Sequence, residues 1–236
     1  MINDRKEQEM LYNNEIVIYT ETPITKNGKK TELVETDLKT NNYYENDNIV
    51  FFTTLQMKTL IDGIINPFHK LVILLLYETG ARIEEARALK FSDIDTSNGR
   101  VKVLTLKQRK KNKIYRYLKI SDKLLSLILN HRVVNKLTDD DFILSQSSGK
   151  QAITRKGISL MLKSYVVKLL GQSNLDKAHP HALRHTRAIH LLDSGMNIML
   201  LKNFLGHANI VNTLIYLKYS NKDMAEAIDR ANNGLN

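Results

Sequence analysis

The chain has 236 residues, enough to bury a substantial core, and a formal net charge of +10 that favours a polyanionic partner such as nucleic acid. Cysteine is absent, which excludes disulfides, thiolate catalysis and Cys-ligated metals. Residues 1–6 contain no apolar signal core, and the longest apolar run, residues 71–77, is far too short to span a bilayer. We therefore expect a soluble protein of the cytoplasm or nucleoid that does not contact membranes.

The positive charge is unevenly distributed along the chain. Residues 1–50 contain six basic and ten acidic residues, a net charge of −4, so residues 51–236 carry +14. Within the polar N-terminal part, Glu15–Tyr19 has strand character, and Asn27-Gly28 suits a tight hairpin turn. The pattern predicts a polar N-terminal arm or appendage, partly disordered, over residues 1–49 and a basic globular domain over residues 50–236.

Three helices are predicted at the start of the globular domain. Thr53 or Thr54 can cap the first, which ends at Asn66-Pro67. Residues 68–78 are apolar on nearly every side and predict a central helix that Gly80 closes. Arg82 then stands at the start of the third helix, where free backbone amides and the helix dipole favour an anion. Taken alone, Arg82 also fits a surface arginine.

The middle of the chain predicts a hairpin and two more helices. Strands at residues 101–106 and 114–120 flank a basic turn whose lysines suit nonspecific phosphate contacts. Helices are predicted near residues 123–130 and 154–171. Between them the acidic triplet at residues 139–141 is interpreted as a solvated connector, not a metal site.

The most informative run is His179-Pro180-His181-Ala182-Leu183-Arg184-His185. His181 and Arg184 are three residues apart, so on one helix they can point at the same target. This helix is predicted to end near Gly195, and two shorter helices follow, at residues 197–206 and from about residue 209. Together the three helices would bring four side chains towards one place: His181, Arg184, His207 and Tyr216.

With Leu205-Gly206-His207 and Tyr216, this run resembles the tyrosine recombinase (phage integrase) family, whose motif has the form H-x-L-R-H…L-G-H…Y. The run from Thr79 through Arg82 to Leu89 resembles the family's T-G-x-R-x-x-E-x-x-x-L box. The resemblance covers about residues 50–236. It implies the catalytic-domain fold of the family, mainly α with a small antiparallel β-sheet (α+β), and residues from 223 onward have the pattern of a C-terminal amphipathic helix.

The resemblance also implies a function. The protein would be a site-specific DNA recombinase that cleaves and rejoins DNA through a 3′-phosphotyrosyl intermediate, with no metal, ATP or other cofactor. Its partners would be double-stranded DNA and further copies of itself, assembled on DNA as a synaptic tetramer. Two alternatives remain open: a type IB topoisomerase-like relaxing enzyme, and a non-catalytic basic DNA-binding protein on the same scaffold.

Individual roles follow from the family motif. Arg82 and Arg184 would neutralise the non-bridging phosphate oxygens, because a guanidinium forks onto two oxygens at once. Tyr216 would be the nucleophile, with Tyr219 as its competitor. His181 would accept the tyrosine proton and His207 would hydrogen-bond a phosphate oxygen, whereas His185 and His190 are expected to be structural.

A lysine of the basic hairpin would protonate the leaving 5′ oxygen. Lys110 is the preferred candidate, although the glycines of the family's turn are absent here, and Lys107 and Lys111 fit other registers of the hairpin. The complete catalytic prediction is Arg82, Lys110, His181, Arg184, His207 and Tyr216.

Overall fold

A computed structural model describes residues 8–12, 15–19, 49–105, 114–146 and 149–220. The chain divides into two compact units, Met1–Tyr43 and Tyr44–Asn236. In the first unit, β1 (Gln8–Tyr12) pairs antiparallel with β2 (Glu15–Tyr19), which confirms the predicted strand. The hairpin turn predicted at Asn27-Gly28 lies outside the described residues.

The second unit opens with two helices close to their predicted positions. Helix α1 (Thr54–Gly63) begins after Thr53, whose side chain and amide exchange hydrogen bonds with Gln56, and it ends before Asn66. Helix α2 (Pro67–Thr79) ends at Gly80, whose φ of 54° lets the chain turn away from the helix axis. Residues 71–76 of α2 are all buried, which confirms that this helix is central to the core.

A short helix, α3 (Ile83–Arg87), leads into a three-stranded antiparallel sheet. The strand order is β3 (Ile94–Asp95), β4 (Arg100–Leu104) and β5 (Tyr115–Lys119). The two longer strands confirm the predicted hairpin arms. Strand β3 was not predicted, because two residues are too few to show a periodicity.

The rest of the described chain is mainly helical, apart from the turns and isolated bridges between residues 135 and 154. Each helix begins or ends within a few residues of its predicted boundary, and the last is followed by a 3-10 turn, Ile215–Tyr219. The C-terminal helix predicted from residue 223 lies outside the described residues. The mainly α fold with a small antiparallel sheet is confirmed. The remaining α-helices of the described chain are α4 (Asp122–Val134), α5 (Arg155–Leu170), α6 (Pro180–Asp193), α7 (Ile198–Leu205) and α8 (Val211–Leu214).

The acidic triplet at residues 139–141 is not uniformly solvated, so that expectation is wrong for Asp141. This residue is buried, and its carboxylate accepts hydrogen bonds from the amide and hydroxyl of Thr138 and from Lys150. Its role is to close a turn. Within the described ranges, no group of three His, Cys, Asp or Glu residues is placed to hold a metal ion.

Helix α6 connects two clusters of buried side chains. Its first turns, through Ala182 and Leu183, pack into the large core formed around α2. Its later turns, through Ile189 and Leu192, pack with α7 and with Tyr216 in a smaller cluster. The candidate site residues on α6 therefore lie where the two clusters meet. No helix in the described part of the chain is both long and apolar enough to cross a membrane.

Candidate active site

Arg184 is the central side chain of the site and is almost completely buried, at 3% exposure. It lies one turn into α6, after His179 has capped the helix by accepting the amide of Ala182. A buried guanidinium must find acceptors for its N–H groups. The Nη1 atom of Arg184 donates to the carbonyl of Gly80, and Nη2 donates to the carbonyl of Leu205 at 2.8 Å. Arg184 thereby joins the end of α2 to the end of α7.

His207 follows α7 and contacts Arg184 directly, with 2.9 Å between its Nε2 and Nη2 of Arg184. Because arginine can only donate, Nε2 must accept, so the imidazole proton is on Nδ1 and is donated to the hydroxyl of Thr213 at 2.9 Å. Burial, together with the charges of Arg184 and Arg82, lowers the pKa of His207 to about 3. His207 is therefore neutral at pH 7, and both of its ring nitrogens are hydrogen-bonded within the protein.

Arg82 stands immediately before α3, as the sequence predicted. Its amide donates to Oε2 of Glu85 and its Nη1 donates to Oε1, both at 3.0 Å. The amide is therefore occupied, and the expectation of a free amide for an anion is wrong at this position. The guanidinium of Arg82 remains accessible to an anion, because its side chain is 19% exposed. Its positive charge lies close to that of Arg184.

Tyr216 lies in the 3-10 turn Ile215–Tyr219 and is only 2% exposed. Burial raises the pKa of its hydroxyl, although the charges of Arg184 and Arg82 act in the opposite direction. The hydroxyl lies 3.0 Å from Nδ1 of His185. In this arrangement the phenol is protonated, buried and within the field of both arginines.

His185 is the hydrogen-bond partner of Tyr216, which the sequence did not predict. Burial, followed by the charge of His181, lowers the pKa of His185 to about 4, so its ring is neutral at pH 7. His181, the predicted acceptor, is exposed, with its ring centroid 5.1 Å from that of His185. The two histidines are four residues apart on α6 and share a face, so spacing alone could not separate their roles.

The other aromatic and imidazole candidates have packing contacts. The hydroxyl of Tyr219 accepts the amide of Ile49, and its ring meets Phe51 edge-on at 6.0 Å between centroids. His190 lies between the hydroxyl of Tyr77 and the carbonyl of Phe52, as expected for a structural histidine. These contacts favour Tyr216 over Tyr219 as the tyrosine of the site.

The predicted lysines, Lys107, Lys110 and Lys111, fall within residues 106–113, outside the described residues. The base of their hairpin is described: the amide of Thr105 donates to the carbonyl of Ile114 at 2.9 Å. Beside it lies Arg116, a buried arginine that the sequence analysis did not single out. The sequence does contain a signal for Arg116. The alternation of β5 places this charged residue on the inward face of the strand, between the outward-facing Tyr115 and Tyr117.

The chain is similar in sequence to known tyrosine recombinases. Tyrosine recombinase XerA of Pyrococcus furiosus is 36% identical over 166 residues, covering 69% of this chain and 54% of the relative. Tyrosine recombinase XerC of Staphylococcus epidermidis is 30% identical over 182 residues, covering 77% of this chain and 58% of the relative. The chain thus spans a little over half the length of these curated relatives.

Solved structures support the same fold. The XerH site-specific recombinase bound to palindromic difH substrate, in a post-cleavage complex, aligns with a TM-score of 0.64 at 21% identity, covering 81% of this chain and 55% of XerH. The sequence profile of the phage integrase family matches residues 51–223, nearly the whole second unit. The chain therefore belongs to the phage integrase family, the family of the tyrosine recombinases.

Proposed function

We propose that residues 50–236 are the catalytic domain of a site-specific DNA recombinase that cuts and rejoins DNA through a 3′-phosphotyrosyl intermediate, with Tyr216 as the nucleophile. The observation that carries this proposal is the position of the Tyr216 hydroxyl. It bonds to a neutral histidine on α6 and lies within the electrostatic field of Arg184 and Arg82. A DNA-binding scaffold without catalysis would not require a tyrosine hydroxyl within the field of two arginines.

The chemistry follows from the charges of the site. The Tyr216 oxygen attacks phosphorus, the bond to the 5′ oxygen breaks, and the tyrosine proton passes to an imidazole. His185 is in contact with the hydroxyl and is neutral, so it joins His181 as a candidate acceptor. The leaving 5′ oxygen takes a proton from a hairpin lysine, for which Lys110 remains the proposed donor.

The arginines act on the phosphate. Arg82 and Arg184 neutralise the charge that accumulates on the non-bridging oxygens as phosphorus becomes five-coordinate. His207 contributes a hydrogen bond to a phosphate oxygen once its ring has left Arg184 and its Nε2 carries the imidazole proton. Because the phosphotyrosyl bond conserves the energy of the bond that was broken, the 5′ hydroxyl can reverse the attack, and neither ATP nor a metal ion is required.

The buried position of Tyr216 implies a movement before cleavage. At 2% exposure its oxygen cannot contact a DNA phosphate, so the 3-10 turn Ile215–Tyr219 must shift outward when DNA binds. The turn is short and follows α8, which has only four residues, so few backbone hydrogen bonds resist the shift. Double-stranded DNA is the proposed substrate, and two duplexes joined by self-association, as a synaptic tetramer, would complete recombination.

Covalent trapping tests this function. The protein would be incubated with nicked duplexes of randomised sequence around the nick, on which the released 5′ fragment diffuses away and rejoining fails. Adducts that survive detergent denaturation would be isolated and their DNA sequenced. We expect adducts with the wild type and with Tyr219→Phe, a matched control three residues away, but none with Tyr216→Phe, which should retain DNA binding. Adducts formed by Tyr216→Phe would refute the assignment.

A further inference from the structure

Arg116 occupies an inward position on β5 where a strand normally buries an apolar side chain. Its neighbours Tyr115 and Tyr117 point outward and Leu118 points inward, so the alternation of the strand directs Arg116 into the protein. It is only 7% exposed. Burying a guanidinium is unfavourable unless its N–H groups are paired, so its partners indicate what the residue does.

Those partners lie on two separate elements. The Nη1 atom of Arg116 donates to the hydroxyl of Thr105, and Nη2 donates to Oε2 of Glu85, both at 2.8 Å. Thr105 is the last described residue before the lysine hairpin and Glu85 is on α3. One rigid guanidinium therefore holds the base of the hairpin against the helix that Arg82 begins.

Glu85 links Arg116 to Arg82, because it forms hydrogen bonds with both residues. Its side chain is completely buried and accepts the guanidinium of Arg116, the guanidinium of Arg82 and the amide of Arg82. Burial alone raises the pKa of Glu85, but the hydrogen bonds and charges of the two arginines outweigh it, so the pKa lies below its usual range. Glu85 is thus a carboxylate anion that pairs with two arginines, Arg82 at the proposed phosphate site and Arg116 on β5.

Arg116 also contacts the turn that carries His207. Gly206 has a left-handed φ of 68°, and a Cβ added there would overlap Nη1 of Arg116. The absence of a side chain at Gly206 therefore lets the guanidinium lie against the turn. The charge of Arg116 reaches the neighbouring imidazole, where it is one of the causes of the lowered pKa of His207.

We propose that Arg116 is a positioning residue for DNA strand cleavage: through Glu85 it fixes the guanidinium of Arg82, and through its contacts with Thr105 and Gly206 it fixes the hairpin base and the His207 turn. The inference rests on the proposed function, because it assigns the residue to the same reaction. Arg116 itself does not touch the DNA. It acts by holding three separate segments at the distances that the reaction requires.

The test uses the full chain and the duplex selected from the randomised pool. Arg116→Met keeps the length of the side chain but removes its charge and donors, whereas Arg116→Lys keeps the charge but can reach fewer acceptors. Arg100→Met, on the outward face of β4, is the matched control. We expect DNA affinity within about threefold of wild type and a cleavage rate constant about 100-fold lower for Arg116→Met, about tenfold lower for Arg116→Lys and unchanged for Arg100→Met.

A neutral substrate separates positioning from general damage to the fold. A methylphosphonate at the scissile position removes the charge that Arg82 would neutralise. The defects of Arg82→Met and Arg116→Met should therefore shrink together on this substrate, to less than about tenfold. An Arg116→Met defect that is equally large on phosphate and methylphosphonate would overturn the proposal, as would wild-type cleavage by this variant.

Two further outcomes are also decisive. If Arg116→Met does not fold, Arg116→Lys carries the test, and failure of both to fold would show that Arg116 serves the fold alone and would refute the proposal. If the wild type forms no adduct, the proposed function fails instead. The contact between Arg116 and the His207 turn can still be tested by NMR, because loss of the Arg116 charge in Arg116→Met should raise the pKa of the His207 imidazole, and an unchanged pKa would contradict it.

Discussion

The hydrogen bond between His185 and Tyr216 can be tested through its contribution to stability. His185→Phe replaces the imidazole by a ring of similar shape without an acceptor, and Tyr216→Phe removes only the hydroxyl. Either substitution alone breaks the 3.0 Å bond and leaves one polar group unpaired. The double substitution leaves two apolar rings in contact.

The expected magnitude depends on burial. Because Tyr216 is 2% exposed, water cannot replace the lost acceptor, so His185→Phe should cost about 1–3 kcal/mol of unfolding free energy. The double variant leaves no unpaired polar atom at the contact, so it should be more stable than the sum of the single variants predicts. We expect a coupling free energy of about 1 kcal/mol between the two positions.

Urea unfolding at pH 7, followed by circular dichroism, measures these values for the wild type and the three variants. His190→Phe combined with Tyr216→Phe is the control, because His190 bonds to Tyr77 and Phe52 and should be additive with Tyr216. A coupling below about 0.3 kcal/mol for the His185 pair would show that the two side chains do not interact and would refute the reasoning.

Two further predictions concern acid stability and DNA affinity. The folded pKa of His185, about 4, lies below the ordinary histidine value of 6.5, so the unfolded chain binds its proton first as the pH falls. Above pH 6.5 the protonation of His185 does not change the free energy of unfolding. Between pH 6.5 and pH 4 it should lower that free energy by about 2–3 kcal/mol. An equally steep loss in His185→Phe would contradict this prediction. For DNA, log K should fall by about 0.9 per phosphate contact for each log unit of salt. Deleting the acidic residues 1–43 should leave that slope unchanged, as binding assays over a salt series would show.

Much of the fold was predictable because its helix boundaries are local. Thr53, Asn66, Thr154 and Asn197 each accept a backbone amide at the start of a helix, as side chains of their type do wherever a helix follows. The site residues could also be selected from the sequence, since the motif spacing places His181 and Arg184 on one helix. The alternation of β5 likewise indicated which of its residues face inward.

The partners of those residues were decided only by the tertiary structure. His181 and His185 lie on the same face of α6, so the packing of the 3-10 turn, not the spacing, determines which of them receives the Tyr216 hydroxyl. Arg116 and Glu85 are 31 residues apart, and nothing local links them. A buried charge or hydroxyl takes whichever partner the fold places within about 3 Å, and that distance depends on how helices and strands from separate parts of the chain pack together.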